Sequence, residues 1–166
     1  MRTGQSLESY LNDWAADDPS RVAVADTLNA VAQASTTVAD LIGRGPLAGG
    51  LAEVVGDNAG GDAQKFLDVR ADELFIEAFQ AAPVAIVYSE ERDDPVPLDA
   101  GAPLAVAIDP LDGSSNIDTN VSIGTIVSVF PTPKGTDAPL PKGRDQVAAA
   151  FTIYGPQTSI VFTLGA

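Results

Sequence analysis

Residues 104–118 read LAVAIDPLDGSSNID, and the fold follows from how the first five of them meet the rest. Leu104 to Ile108 is an apolar run rich in β-branched residues, with the length of a buried strand. It leads directly into Asp109 and Asp112, separated by Pro110 and Leu111. Two carboxylates so placed repel one another unless something positive sits between them. Pro110 fixes the backbone after Asp109 and Gly113 permits a sharp turn, which brings Asp112 back toward the same point. On spacing alone, Asp-x-x-Asp-Gly suits an ordinary Asx turn as well as it suits a cation site.

Similar strand-like runs recur at 84–88 (VAIVY), 123–130 (IGTIVSVF), 147–154 (VAAAFTIY) and 158–164 (TSIVFTL), and all are expected to be mostly buried on both faces. The chain before them is helical in period. Leu7, Tyr10, Leu11 and Trp14 form a short amphipathic helix. Ser20 is expected to cap a longer one carrying Val24, Leu28, Val31, Val38 and Ile42, which Gly43, Gly45 and Pro46 stop. A third is predicted over Val69–Ala82, closed by Pro83, with Leu74, Phe75, Ala78 and Phe79 on one side. Seven of the 15 glycines lie in 43–61, read as a mobile loop. Helices first and strands afterwards predict an α+β fold, a layered sheet with the N-terminal helices packed on it. Residues 131–145 read as a surface excursion between strands.

Composition narrows the chemistry. With 166 residues and 45% apolar content the chain can bury one ordinary core. Its net charge of −14 opposes attraction to nucleic acid or anionic lipid, and no 18-residue apolar run or secretory leader is evident. A cytoplasmic protein is the simplest expectation. Cysteine and histidine are both absent, which removes thiolate nucleophiles, Ser-His-Asp relays and His- or Cys-ligated metals. Any chemistry falls to carboxylates, whose oxygens select magnesium, manganese or calcium.

Two strands end in acids. VAIVY runs into Ser89, Glu90 and Glu91, and if it lies parallel to LAVAI, then Glu90, Asp109 and Asp112 converge at one rim and can share a cation, with the Leu111 carbonyl as a fourth oxygen. Past the turn, GSSN offers small residues whose backbone N–H groups suit an anion such as phosphate. A carboxylate-held metal beside an anion seat is the equipment of phosphoryl hydrolysis. Asp62 and Asp68, where the glycine stretch becomes a helix, can accept a proton from water, or else serve as helix caps. Asp72 and Glu73 read as solvated helix acids.

DPLDGSSNID, with GDAQKFLDV and SEE before it and SIGTI and GRDQVAAAFTIYGPQT after it, resembles the class I fructose-1,6-bisphosphatases of the lithium-sensitive, magnesium-dependent phosphatase superfamily. The resemblance implies the N-terminal half of a sugar-phosphatase fold over 1–166, with a C-terminal domain beyond it, and hydrolysis of the 1-phosphate of fructose 1,6-bisphosphate. It implies Mg2+ (or Mn2+) on Glu90, Asp109, Asp112 and the Leu111 carbonyl. Glu91 lies alongside, Asp62 and Asp68 activate water, and Asp112, Gly113, Ser114 and Ser115 hold the phosphate. It also implies a homotetramer. Inositol-phosphate or nucleotide-phosphate hydrolysis, or a metal-binding fragment without catalysis, are the alternatives. Where mammalian-type members carry a Gly-Thr-Gly-Glu nucleotide element, this chain reads SRVAVADTL. The second half of such enzymes brings the basic residues that grip the sugar, and no Lys or Arg occurs here between Arg92 and Lys134.

Overall fold

A computed structural model describes residues 3–44, 54–57, 63–119, 121–133 and 141–165, except for the side chains of 54–57, 63–65 and 117–119. Helix α1 (Leu7–Ala15) starts at Ser6, whose hydroxyl accepts the Ser9 N–H. Helix α2 (Pro19–Gly43) is capped by Asp18 rather than Ser20: Asp18 Oδ1 accepts the N–H groups of Ser20 and Arg21 at 2.9 and 3.1 Å. Pro19 decides this, because a residue with no N–H and a helical φ belongs at the first helical position and leaves the cap to its predecessor. Helix α3 (Phe66–Gln80) begins three residues earlier than its periodicity predicts. Its core stripe is Leu67, Ala71, Phe75 and Phe79, all fully buried. No described helix is long and apolar enough to cross a membrane.

Within the glycine-rich stretch, β1 (Val54–Asp57) pairs antiparallel with β2 (Ala63–Lys65), so part of the expected loop is a hairpin strand. The rest of that stretch lies outside the described residues. The main sheet contains β3 (Val84–Ser89), β4 (Val96–Pro97), β5 (Leu104–Asp112), β6 (Ile123–Pro131), β7 (Ala148–Tyr154) and β8 (Ser159–Leu164), in the order β4-β3-β5-β6-β7-β8. Only β3 and β5 run parallel; the other neighbours are antiparallel. Five of these strands are those predicted from sequence. The two-residue β4, held between prolines and acids, carried no signal.

Helices α2 and α3 pack on the same sheet, α3 over β3 and β5 and α2 over β7. Val87, Val106, Val127 and Val129 face them, each buried to 1% exposure or less. Fully burying a side chain of that size contributes about 1.5–3 kcal/mol. The opposite face is buried at Ala105 and Phe130 but open over much of β6, β7 and β8, which corrects the expectation that the strands are mostly buried on both sides. Ile126, Phe151 and Val161, which pair across β6, β7 and β8, are 47, 43 and 49% exposed. Among the described residues, helices cover one face only.

One irregularity sets the geometry of the rim. Asp109 pairs with Ile126 and Asp112 with Gly124, so Pro110 and Leu111 together oppose the single residue Thr125. This is a β-bulge, and Pro110 is tolerated in it because the extra residues leave the ladder. In a regular strand, residues three apart point to opposite faces. The bulge cancels that alternation, and Asp109 and Asp112 both take the open face, where Ile126 and Gly124 also lie. Close approach of the strands here requires glycine at 124, since a Cβ on it would meet the Thr152 carbonyl oxygen at 2.5 Å.

Buried hydroxyls pin the bulge from below. Thr125, fully buried, donates its hydroxyl hydrogen to the Pro110 carbonyl at 2.8 Å. Its hydrogen is thereby used, so the Tyr154 hydroxyl 2.7 Å away is the donor to Thr125 Oγ1. Burial also pushes the Tyr154 phenol above its ordinary pKa, which keeps it a donor. Beside them, Ser35 of α2 bonds Thr152 of β7 at 3.0 Å. Thr125→Val takes from both the Pro110 carbonyl and the Tyr154 hydroxyl their bond to Thr125 and should cost about 2–3 kcal/mol in urea unfolding. Tyr154→Phe removes one bond, leaves no buried orphan donor, and should cost about 1 kcal/mol.

Candidate functional site

The parallel pairing of β3 with β5 brings the acids together. Ser89 is in register with Ile108, and the chain continues that pairing for one more residue, with the Glu90 N–H donating to the Ile108 carbonyl at 3.0 Å. Neighbours in register on parallel strands point the same way. Ser89 and Ile108 turn toward the helices and are buried, so Asp109 turns to the open face, and Glu90, one residue past β3, lies near enough for its charge to act on it. The bulge adds Asp112 to that face.

Electrostatics report the crowding. The Asp109 carboxyl is pushed up from its ordinary 3.8 to about 6, by burial first, then by the charges of Glu90 and Asp112 and, more weakly, Asp68. The Leu111 N–H, which donates to Asp109 Oδ1 at 3.1 Å, opposes the rise. That bond is the Asx-turn contact the spacing allowed for, so the turn and the acid cluster coexist. Asp68 lies in the first turn of α3 at 1% exposure, too deep to be a solvated cap.

The remaining expected residues are placed as follows. Glu91 is half-buried, its N–H donating to Ser89 Oγ at 3.3 Å. Leu111 sits in the bulge with its side chain 2% exposed. Gly113 has φ +80°, the left-handed turn expected of it. Ser114 and Ser115 open a 3-10 helix over Ser114–Thr119, tightened by the Asn116 N–H donating to the Gly113 carbonyl. Asp62 falls outside the described residues. Among the described residues, no three acidic side chains are yet gathered tightly enough to chelate one ion. The donor set nevertheless fits a hard cation: every group is an oxygen, and the charged form of the Asp109 carboxyl is disfavoured by the nearby charges of Glu90 and Asp112, which a cation would offset.

Asp72 overturns its sequence reading. It is not solvated but 3% exposed. The Ser89 hydroxyl donates to its Oδ1 at 2.6 Å, and Arg92 donates to its Oδ2 from Nε at 2.6 Å, with Nη2 forming an ion pair to the same oxygen at 2.6 Å. A signal was present, since Asp72 falls on the stripe of Phe75, Ile76 and Phe79 at helical spacing. What the sequence could not name was the partner twenty residues away. Glu73 is solvated as expected, paired with Arg70 on the exposed side. Arg92, two residues from Glu90 in sequence, is thus committed to Asp72.

Comparison with known proteins gives the chain's family. The family described as fructose-1-6-bisphosphatase, N-terminal domain, matches residues 10–166. A class 1 fructose-1,6-bisphosphatase of Azorhizobium caulinodans is 52% identical over 96% of this chain and 51% of its own length. One from Rhodopseudomonas palustris is 50% identical over 99% of this chain and 48% of its own. The crystal structure of Leishmania major fructose-1,6-bisphosphatase in holo form superposes with a TM-score of 0.85 at 31% identity, covering 96% of this chain and 52% of that one. The chain thus spans about half the length of the relatives it matches.

The raised Asp109 carboxyl gives a pH signature with a definite sign. The folded chain holds a proton there more tightly than the unfolded chain, so this residue's contribution falls as pH rises from 3.8 to about 6 and is flat above. In metal-free protein, Asp109→Asn should therefore raise the melting temperature at pH 7 and change it little at pH 4. Equal effects at both values, in paired thermal melts, would contradict the crowding described.

Proposed function

The chain belongs to the fructose-1,6-bisphosphatase family through that family's N-terminal domain, and from this premise we propose that it supplies the metal-binding half of an enzyme hydrolysing the 1-phosphate of fructose 1,6-bisphosphate. The observation that carries the reading is the convergence of Glu90, Asp109 and Asp112 at one rim of the sheet, through a parallel strand pair and a bulge. Glu90, Asp109, Asp112 and the Leu111 carbonyl would hold magnesium, with Glu91 alongside. Magnesium bound there supplies charge that offsets the phosphate's and makes water more acidic.

The chain's own residues supply the rest. Asp68, with Asp62, accepts the proton of the attacking water. The backbone N–H groups from Gly113 to Ser115 donate to phosphate oxygens at the mouth of the 3-10 turn, with Asp112 marking its edge. No basic side chain between Arg92 and Lys134 competes for the phosphate, and Arg92 is held by Asp72. Recognition of the sugar and of the 6-phosphate is assigned to sequence beyond this half, where the relatives continue, and assembly into a homo-oligomer belongs to that longer protein.

The test joins this chain to the C-terminal half of the Azorhizobium caulinodans relative and follows phosphate release. Magnesium-dependent release from fructose 1,6-bisphosphate is expected, with little from inositol 1-phosphate. Asp109→Asn should lower it by roughly 100-fold, about 3 kcal/mol of transition-state stabilisation. A folded hybrid that prefers inositol 1-phosphate, or that turns over normally without Asp109, would overturn the assignment.

A further inference from the structure

Glu90 and Glu91 are the two central residues of a tight turn, and both ends of that turn are tied to one buried carboxylate. The turn closes on itself through the Arg92 N–H and the Ser89 carbonyl at 3.3 Å. At its start, the Ser89 hydroxyl donates to Asp72 Oδ1; at its end, Arg92 Nε donates to Asp72 Oδ2 and Nη2 pairs with the same oxygen, all at 2.6 Å. Ser89 Oγ also accepts the Glu91 N–H, so Asp72 acts on the middle of the turn through Ser89. Charge-assisted bonds of this length are among the stronger polar contacts in proteins. Asp72 stands one helical turn after Asp68, in the buried stripe of α3. The helix that carries a proposed water-activating acid therefore also anchors the turn that carries the proposed metal ligand Glu90, with Glu91 alongside.

We propose that Asp72 is a positioning residue, a clamp that fixes Glu90 and Glu91 in the orientation needed to receive a divalent cation, with Ser89 and Arg92 as its two arms. This rests on the reading of Glu90 as a metal ligand. Arg92 is then part of an acid-holding device rather than a phosphate-binding cation, although it is the basic residue nearest the site in sequence.

Charge separates positioning from simple electrostatics. If these groups acted only through their field, Asp72→Ala would weaken cation binding and Arg92→Met, which deletes a positive charge beside the acids, would strengthen it. The clamp predicts that both weaken it. The experiment titrates the 166-residue chain with Mn2+ by calorimetry. Asp72→Ala and Arg92→Met should each lose about tenfold in affinity, within the range known for residues that support metal ligands. The double variant should lose little more than the worse single, because either change opens the same clamp. Arg92→Lys, which keeps the charge and one donor, should recover part of the loss. Amide hydrogen exchange at Glu90 and Glu91 in the metal-free chain should quicken in both single variants.

Two controls keep the outcomes distinct. Ile76→Val on the same helix removes one packed methyl group and lowers the melting temperature and should leave Mn2+ affinity unchanged; an equal loss there would reduce Asp72 to a structural role and overturn the clamp. Glu90→Gln reports on the underlying site. If the native chain binds Mn2+ and Glu90→Gln abolishes it, while Arg92→Met binds as well as or better than the native chain, the clamp alone is refuted. If Glu90→Gln binds as the native chain does, the metal-ligand reading fails and the clamp with it.

Discussion

Two residues of β5 facing one residue of β6 is the constraint on which the candidate site depends. Without the extra residue, Asp109 and Asp112 would project from opposite faces of the sheet, one into the helix-packed core and one toward the open side. An unpaired carboxylate in that core would be costly. With it, Pro110 and Leu111 take the buried side, where Leu111 joins the apolar cluster and the Pro110 carbonyl meets Thr125. The motif DPLD thus divides its own labour: the inner pair builds the bulge and the outer pair is displayed by it. Thr125 and Tyr154 make that arrangement rigid from beneath, so β6 and β7 help to aim the acids.

The second organising fact is helix α3. Its inward stripe is mostly aromatic and aliphatic, yet Asp68 and Asp72 interrupt it one turn apart. Such burial is tolerable only when each acid is engaged, and for Asp72 both oxygens are. Fold and site are therefore not separable layers here. The packing of α3 on β3 and β5 delivers two carboxylates to the ends of those strands.

Much of this was legible beforehand. β-branched runs at 84–88, 104–108, 123–130, 147–154 and 158–164 marked the five long strands because a buried strand leaves no other pattern of that length. The acids at the ends of two runs pointed to one rim on condition that the strands were parallel neighbours, which they are. Three features escaped. The cap of α2 is Asp18 rather than Ser20 because a proline outranks a hydroxyl in fixing a first turn. Asp72 was assigned to solvent, since a charged residue reads as exposed unless its partners can be named, and Ser89 and Arg92 are distant in sequence. The open face was read as buried because Ile126 and Phe151 look the same in sequence whether or not a layer covers them. The described residues supply no such layer.

That open face also bears on how the chain behaves in solution. Ile126, Phe151 and Val161 form an unbroken apolar row across three strands, and the β8 edge beside it pairs on one side only among the described strands. Sticky surfaces of this kind bring copies together unless mutual repulsion keeps them apart. The 14 excess negative charges provide that repulsion at neutral pH, and acidification toward the isoelectric point of about 4.1 removes it. High salt acts in the same direction by screening. The acidity that first argued against nucleic acid therefore has a second role as the colloidal guard of an uncovered sheet.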